Sequence, residues 1–181
     1  MFVWFFSFFS KFSGIYLVTV KPSLGFNFSL ILTNWLLYLC ATFIKFSAGL
    51  YKTWLVEHGA YEALSAGLSR LKSKICSVST ILWYAFMTTA GYRFILFIFA
   101  TKSTATPSVE RLYRNAKWLE KETGEMHDVF YSFKRDRRAL FLIPLLYWAP
   151  LRKVFPASGF YELRLNSRDN TLYPVHVSWL D

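Results

Sequence analysis

At 181 residues, with 21 Lys and Arg against 11 Asp and Glu, the chain has a net charge of +10, and 54% of its residues are apolar. The length suits one domain with a sizeable core, and the charge asks for an anionic partner: nucleic acid, a phospholipid surface or an acidic protein. Two cysteines, Cys40 and Cys76, each inside an apolar run, provide no disulfide framework and read as small buried hydrophobes. The apolar excess is uneven, because 14 of 19 Phe lie in the first hundred residues, where Glu57 and Glu62 are the only acids. Either that half meets lipid, or it reflects the biased code of an organelle genome.

The opening MFVWFFSFFSKF places Lys11 after its apolar run, whereas a signal peptide has its positive charge before it. IYLVTV at 15–20 is short and β-branched and ends at Lys21-Pro22, which predicts a strand. Residues 24–46 admit two readings. Their length approaches the ~20 apolar residues of a membrane span. Asn27, Asn34 and Thr42, however, would gather near one side of a helix packed on a sheet. Segments 51–61, 79–89 and 92–100 read as strands, with Ala90-Gly91 inviting a hairpin turn between the last two. Leu64, Leu68 and Leu71 recur at helical spacing within 62–75.

Beyond residue 101 the texture turns polar. Thr106-Pro107 predicts a helix cap and first turn, followed by Val109, Leu112, Tyr113 and Ala116 at helical spacing. Asn115 is placed to start a second helix through Trp118, Leu119 and Met126. FLIPLLYWAP is a linker, and 151–165 and 171–180 read as strands joined by Asn166, Ser167, Asp169 and Asn170. Alternating strand and helix signals predict an α/β fold. It would be a two-layer sandwich of a mixed sheet with helices, ending in an extended segment with short strands. A divergent, hydrophobic part (1–104) precedes a motif-bearing part (105–181) within one structural unit.

Chemistry is sparse. His58, His127 and His176 are scattered with no Cys at ligand spacing, so no metal site is expected. No glycine-rich phosphate loop is present, and Ser158 lacks a GxSxG frame. Interest concentrates instead in WLEKETGEMHDVFYSFKRDRRAL (118–140), which holds five of the eleven acids. Its basic end, where Tyr131 and Phe133 alternate with Lys134, Arg135, Arg137 and Arg138, has the look of an RNA-binding strip. Acids on the adjoining helix would repel phosphates, so a protein interface fits better than nucleic acid. Glu122 and Glu125 lie three apart on one helix face, and Arg137 and Arg138 follow after a turn. This spacing predicts that the four form a buried, mutually satisfied cluster.

Two motifs in this half resemble the 30 kDa subunit family of respiratory complex I, also called subunit 9 or the C subunit. The first is Glu120-Lys121-Glu122-Thr123-Gly124-Glu125, followed in register by Lys134, Arg138 and Leu140. The second is Pro150-Leu151-Arg152-Lys153-Val154-Phe155-Pro156-Ala157-Ser158-Gly159, similar to the family's P-x-R-K-D-F-P-x-x-G. Upstream, Pro107-Ser108-Val109 and Asn115 to Trp118 resemble a further family stretch. Asp128 stands where the family has Gly, His127 where an aromatic is usual, and Val154 where Asp is.

The resemblance implies a peripheral, non-redox subunit on the matrix side of the mitochondrial inner membrane, bound chiefly to the 49 kDa subunit of the quinone module. It implies no cofactor on this chain. Flavin, iron–sulfur clusters and ubiquinone belong to partner subunits. It favours a buried helix over a membrane span within 24–46. Structural or interface roles are then expected of Trp118, Glu120, Glu122, Glu125, Lys134, Arg137 and Arg138. The same is expected of Pro150, Arg152, Lys153, Phe155, Pro156 and Gly159 in the second motif.

Overall fold

A computed structural model of the chain describes residues 15–18, 28–47, 52–62, 78–101, 104–142 and 149–177. The helix expected over 62–75 falls outside them, save for Glu62.

Strands β1 (Ile15–Val18), β2 (Phe28–Leu32), β3 (Thr53–Glu62), β4 (Val78–Thr88) and β5 (Arg93–Thr101) form one sheet in the order β1-β2-β5-β4-β3. β2 runs parallel to β5 and the other pairs are antiparallel, so the sheet is mixed. The β4–β5 turn works because Gly91 takes φ +83°, a conformation that costs a residue without Cβ little. Thr88 closes that turn by accepting from the Tyr92 amide on its hydroxyl at 3.1 Å.

Within the stretch 24–46, whose described part begins at residue 28, the reading of a buried helix packed on the sheet holds for helix α1 (Leu36–Phe46), and its extent is corrected, because β2 occupies 28–32. Eleven residues rise about 17 Å, far short of the ~30 Å hydrocarbon thickness. Among the described residues no helix is long and apolar enough to cross a membrane. Leu36, Leu37, Cys40, Ala41 and Ile44 form the buried stripe of α1, at the i, i+4 and i+8 spacing that a sheet-packed helix requires. They meet Leu30, Leu32, Leu82, Tyr84, Phe86, Phe94, Leu96 and Ile98 from one face of the sheet. Each such side chain contributes roughly 1.5–3 kcal/mol by leaving water. Cys40 is a free thiol in this core, and burial pushes its pKa up to about 12.

The second half joins the same core through Val109, Leu112, Tyr113, Ala116 and Tyr131. The helix that their spacing predicts from Thr106 is also corrected. Thr106–Pro107 is a two-residue strand, β6, paired in parallel with β7 (Tyr131–Ser132). Tight turns follow, with the Leu112 and Tyr113 amides both donating to the Val109 carbonyl at 2.9 Å. The apolar face is buried as the pattern requires, on a backbone that β6 holds back from helix. Helix α2 then runs Ala116–His127. Asn115 occupies its cap position, but its side chain donates to the Leu55 carbonyl on β3 at 2.7 Å, tying helix to sheet instead of capping.

The last of the described elements form a hairpin of β8 (Tyr161–Asn166) and β9 (Thr171–His176), with Asn170 left-handed in its turn.

Candidate interaction site on the charged helix

α2 turns Ala116, Glu120, Thr123 and His127 inward, and Glu120 is fully buried. A carboxylate at such a position is sustained only by partners for both oxygens. The Val109 amide donates to Oε1 at 2.8 Å, while the Ser108 hydroxyl (2.6 Å) and the Lys134 ammonium (3.0 Å) donate to Oε2. Burial raises the Glu120 pKa, and the Ser108, Lys134 and Val109 contacts oppose that rise. Lys134 is itself nearly enclosed and lies 3.9 Å from Glu110.

Beside this pair, Lys121 meets Asp136 at 2.8 Å and Lys117 approaches it at 3.6 Å. Hydrogen bonds from Arg138 and Lys121 hold the Asp136 carboxyl well below the usual carboxylate range. Glu125 accepts from the backbone amides of Leu140, Phe141 (2.8 Å) and Leu142 (3.1 Å). The segment after β7 therefore folds back along α2 and is fastened at 134, 136 and 140–142.

The predicted four-residue cluster is corrected by this geometry. Glu122 is exposed, Arg137 lies over the Phe130 ring at 5.0 Å, and Arg138 is exposed and chelates Asp136, two residues away. Only Glu125 acts as an anchor, and it binds backbone amides. The buried pair is Glu120–Lys134, both motif positions. Sequence reasoning missed Ser108 and Asp136, which complete the arrangement; the lone Asp inside KRDRR was the available signal.

The second motif closes the far end of α2. Asp128 ends the helix at φ +56°, its amide donating to the Gly124 carbonyl. This left-handed position explains why Gly suits the family there. Asp128 also accepts from Arg152 at 2.8 Å, and the Leu151 amide donates to the Met126 carbonyl at 3.1 Å. The Lys153 amide donates to Glu62 at the end of β3. Phe155 stacks edge-on against Phe160, and Gly159 turns at φ +76° with its amide on the Pro156 carbonyl. Pro150 is half-buried, whereas Trp118 and Val154 are exposed.

A second polar element lies beneath. His58 on β3 points into the core, with Nδ1 at 2.9 Å from the Trp83 carbonyl and Nε2 at 2.8 Å from the Tyr131 hydroxyl. A carbonyl only accepts, so Nδ1 carries the proton and Tyr131 donates to Nε2. Burial lowers the His58 pKa to about 3 and raises that of Tyr131.

Among the described residues no group of three His, Cys, Asp or Glu converges to hold a metal. Glu120, Glu125, Lys134 and Asp136 are spent on one another's segments, on basic side chains and on backbone amides. The fold and site thus define a layered α/β domain carrying an ion-paired arm along its second helix. The family of the respiratory-chain NADH dehydrogenase 30 kDa subunit matches residues 41–161, and the chain belongs to it.

Over 89 residues the chain is 34% identical to the NADH-ubiquinone oxidoreductase subunit 9 of Acanthamoeba castellanii, covering 48% of this chain and 46% of that one. The subunit 9 of Paramecium primaurelia is 45% identical over 60 residues, covering 33% and 29%. The C subunit of the NADH-quinone oxidoreductase of Legionella pneumophila is 26% identical over 120 residues, covering 64% and 53%. The chain spans about half the length, or less, of these relatives. The trypsin-resistant fragment of Nqo5 shares the fold at a TM-score of 0.57 and 15% identity, covering 75% of this chain and 99% of the fragment.

Proposed function

We propose that this chain is a structural subunit of the mitochondrial NADH:ubiquinone oxidoreductase. In this reading it holds the quinone-reducing module together from the matrix side and carries no redox group itself. Its chief neighbour is the 49 kDa subunit, and its gene lies in the organelle genome. Family membership supports the complex. The observation that supports an assembly role is the β8–β9 hairpin. Its apolar side chains project from both faces into solvent: Leu163 is 70% exposed, and Leu165, Leu172 and Tyr173 are exposed as well. A two-stranded hairpin with no core of its own is marginal in water, so a partner surface is expected to finish it.

Mass spectrometry of the native particle containing the chain tests this reading. Co-purification with the flavoprotein and the quinone-module subunits is the expected result. Recovery with ribosomal proteins, or with membrane transporters and no flavoprotein, overturns it.

A further inference from the structure

Phe133 is out of place by every local rule. It holds φ +60°, where Asp128 and Asn170 are tolerated but a bulky aromatic is rare, and its ring is 72% exposed. No burial of the ring offsets that backbone, and strain retained at an exposed aromatic points to a use outside the chain. One residue later Lys134 enters a cleft of ≈ 230 Å³ between α2 and the arm, whose walls include Phe130, Arg137 and Arg138.

Two carboxylates also line this cleft, and neither is free to accept a guest's donors. Glu120 is saturated by Ser108, Val109 and Lys134, and Glu125 by the amides of 140–142. Arg137 has no carboxylate partner among the described residues. The cleft therefore presents donors and aromatic walls, and it asks for an acceptor with an apolar neighbour. Trp118, more than half exposed with Lys117 and Lys121 beside its ring at 5.6 and 5.3 Å, extends the same chemistry along α2.

We infer that this face docks an acidic segment of a partner subunit, one bearing a carboxylate next to an apolar or aromatic residue. Its carboxylate pairs with the Arg137 fork, its apolar side chain enters the cleft against Phe130, and Phe133 packs across it. This rests on the reading of the chain as an assembled subunit. A carboxylate matches the planar guanidinium bidentately.

The test uses the full chain co-expressed with the other quinone-module subunits, as Phe133→Gly and Arg137→Gln variants. Glycine accepts this left-handed backbone without a Cβ clash, so Phe133→Gly should melt at the same temperature as the parent or higher. The fraction recovered in the assembled module should fall at least fivefold. Arg137→Gln should likewise keep its melting temperature and lose incorporation. Incorporation of both variants at the parent's level, with the parent itself assembling, overturns the docking face and leaves the subunit reading intact. Failure of the parent to join any NADH-oxidising particle overturns that reading instead. Loss of incorporation in step with a lowered melting temperature reassigns both residues to folding. Retention of the parent on RNA at physiological salt, abolished by Arg137→Gln, replaces the acidic segment with nucleic acid.

Discussion

Lys134→Met is the sharpest probe of the buried pair. The lysine side chain is 5% exposed and that of Glu120 0%, at an N–O separation of 3.0 Å. Methionine fills the stem's volume and removes only the ammonium. Glu120 then keeps the Ser108 hydroxyl and the Val109 amide, two neutral donors for a full charge in a dry site. Burial already raises its pKa, and losing the cation raises it further, so the variant relieves its stranded charge by taking up a proton. Holding a carboxyl of ordinary pKa about 4.3 protonated at pH 7 costs about 3.7 kcal/mol, close to the ~3–5 kcal/mol of breaking a buried pair.

The sign in pH follows from that proton. The folded variant binds it and the unfolded chain at pH 7 does not, so acidification favours the folded variant. The deficit should shrink to about 1 kcal/mol near pH 5 and vanish below the unfolded value. Denaturant titrations of the purified chain at pH 5, 6 and 7 provide the measurement, with Glu120→Gln/Lys134→Met as the control expected to recover most of the loss. A deficit under about 1 kcal/mol that is flat across pH would show the pair to be a solvated surface contact and refute the reasoning.

Glu125→Ala removes the common acceptor of three amides, and hydrogen exchange at 140–142 should accelerate at least tenfold while exchange in β4 stays unchanged. The His58 imidazole, held neutral, should show no NMR titration between pH 8 and pH 4. Its depressed pKa makes a contribution to stability that is full above the ordinary histidine value and is lost as pH falls from about 6.5 toward about 3, measurable as a slope of about 1.4 kcal/mol per pH unit. Gly59→Ala places a Cβ 2.7–2.9 Å from the Trp83 indole across the β3–β4 pair, and a loss of about 1–3 kcal/mol is expected by thermal melting.

Much of the sheet was legible because strands announce themselves locally. YRFILFIFA alternates buried Phe94, Leu96, Ile98 and Ala100 with half-buried Ile95, Phe97 and Phe99, and Ala90-Gly91 marks the turn before it. The break at Thr33 to Trp35 was not legible, since apolar residues flank it on both sides and hydrophobicity alone cannot separate strand from helix there. Thr106-Pro107 misleads for a different reason. A cap signal is a local preference, and the pairing with Tyr131 that overrides it comes from beyond the whole of α2.

The site was half-legible, and the error in it is instructive. Positions 116, 120, 123 and 127 are spaced four, three and four apart, the stripe of an amphipathic helix, yet a charge in that stripe reads as part of the solvated side. What the pattern hides is why Glu120 is tolerated inside: Ser108, Val109 and Lys134 arrive from two separate segments. A buried ion pair adds little net stability over well-packed apolar residues, so its value here lies in specification. No apolar side chain of the arm between 133 and 142 is fully buried, and hydrophobic contact alone would let it slide along α2. One ammonium that must reach one enclosed carboxylate, and three consecutive amides that must reach Glu125, leave the arm a single register. That register is what sets Arg137 over the Phe130 ring on the outer surface, in a geometry that a partner can read.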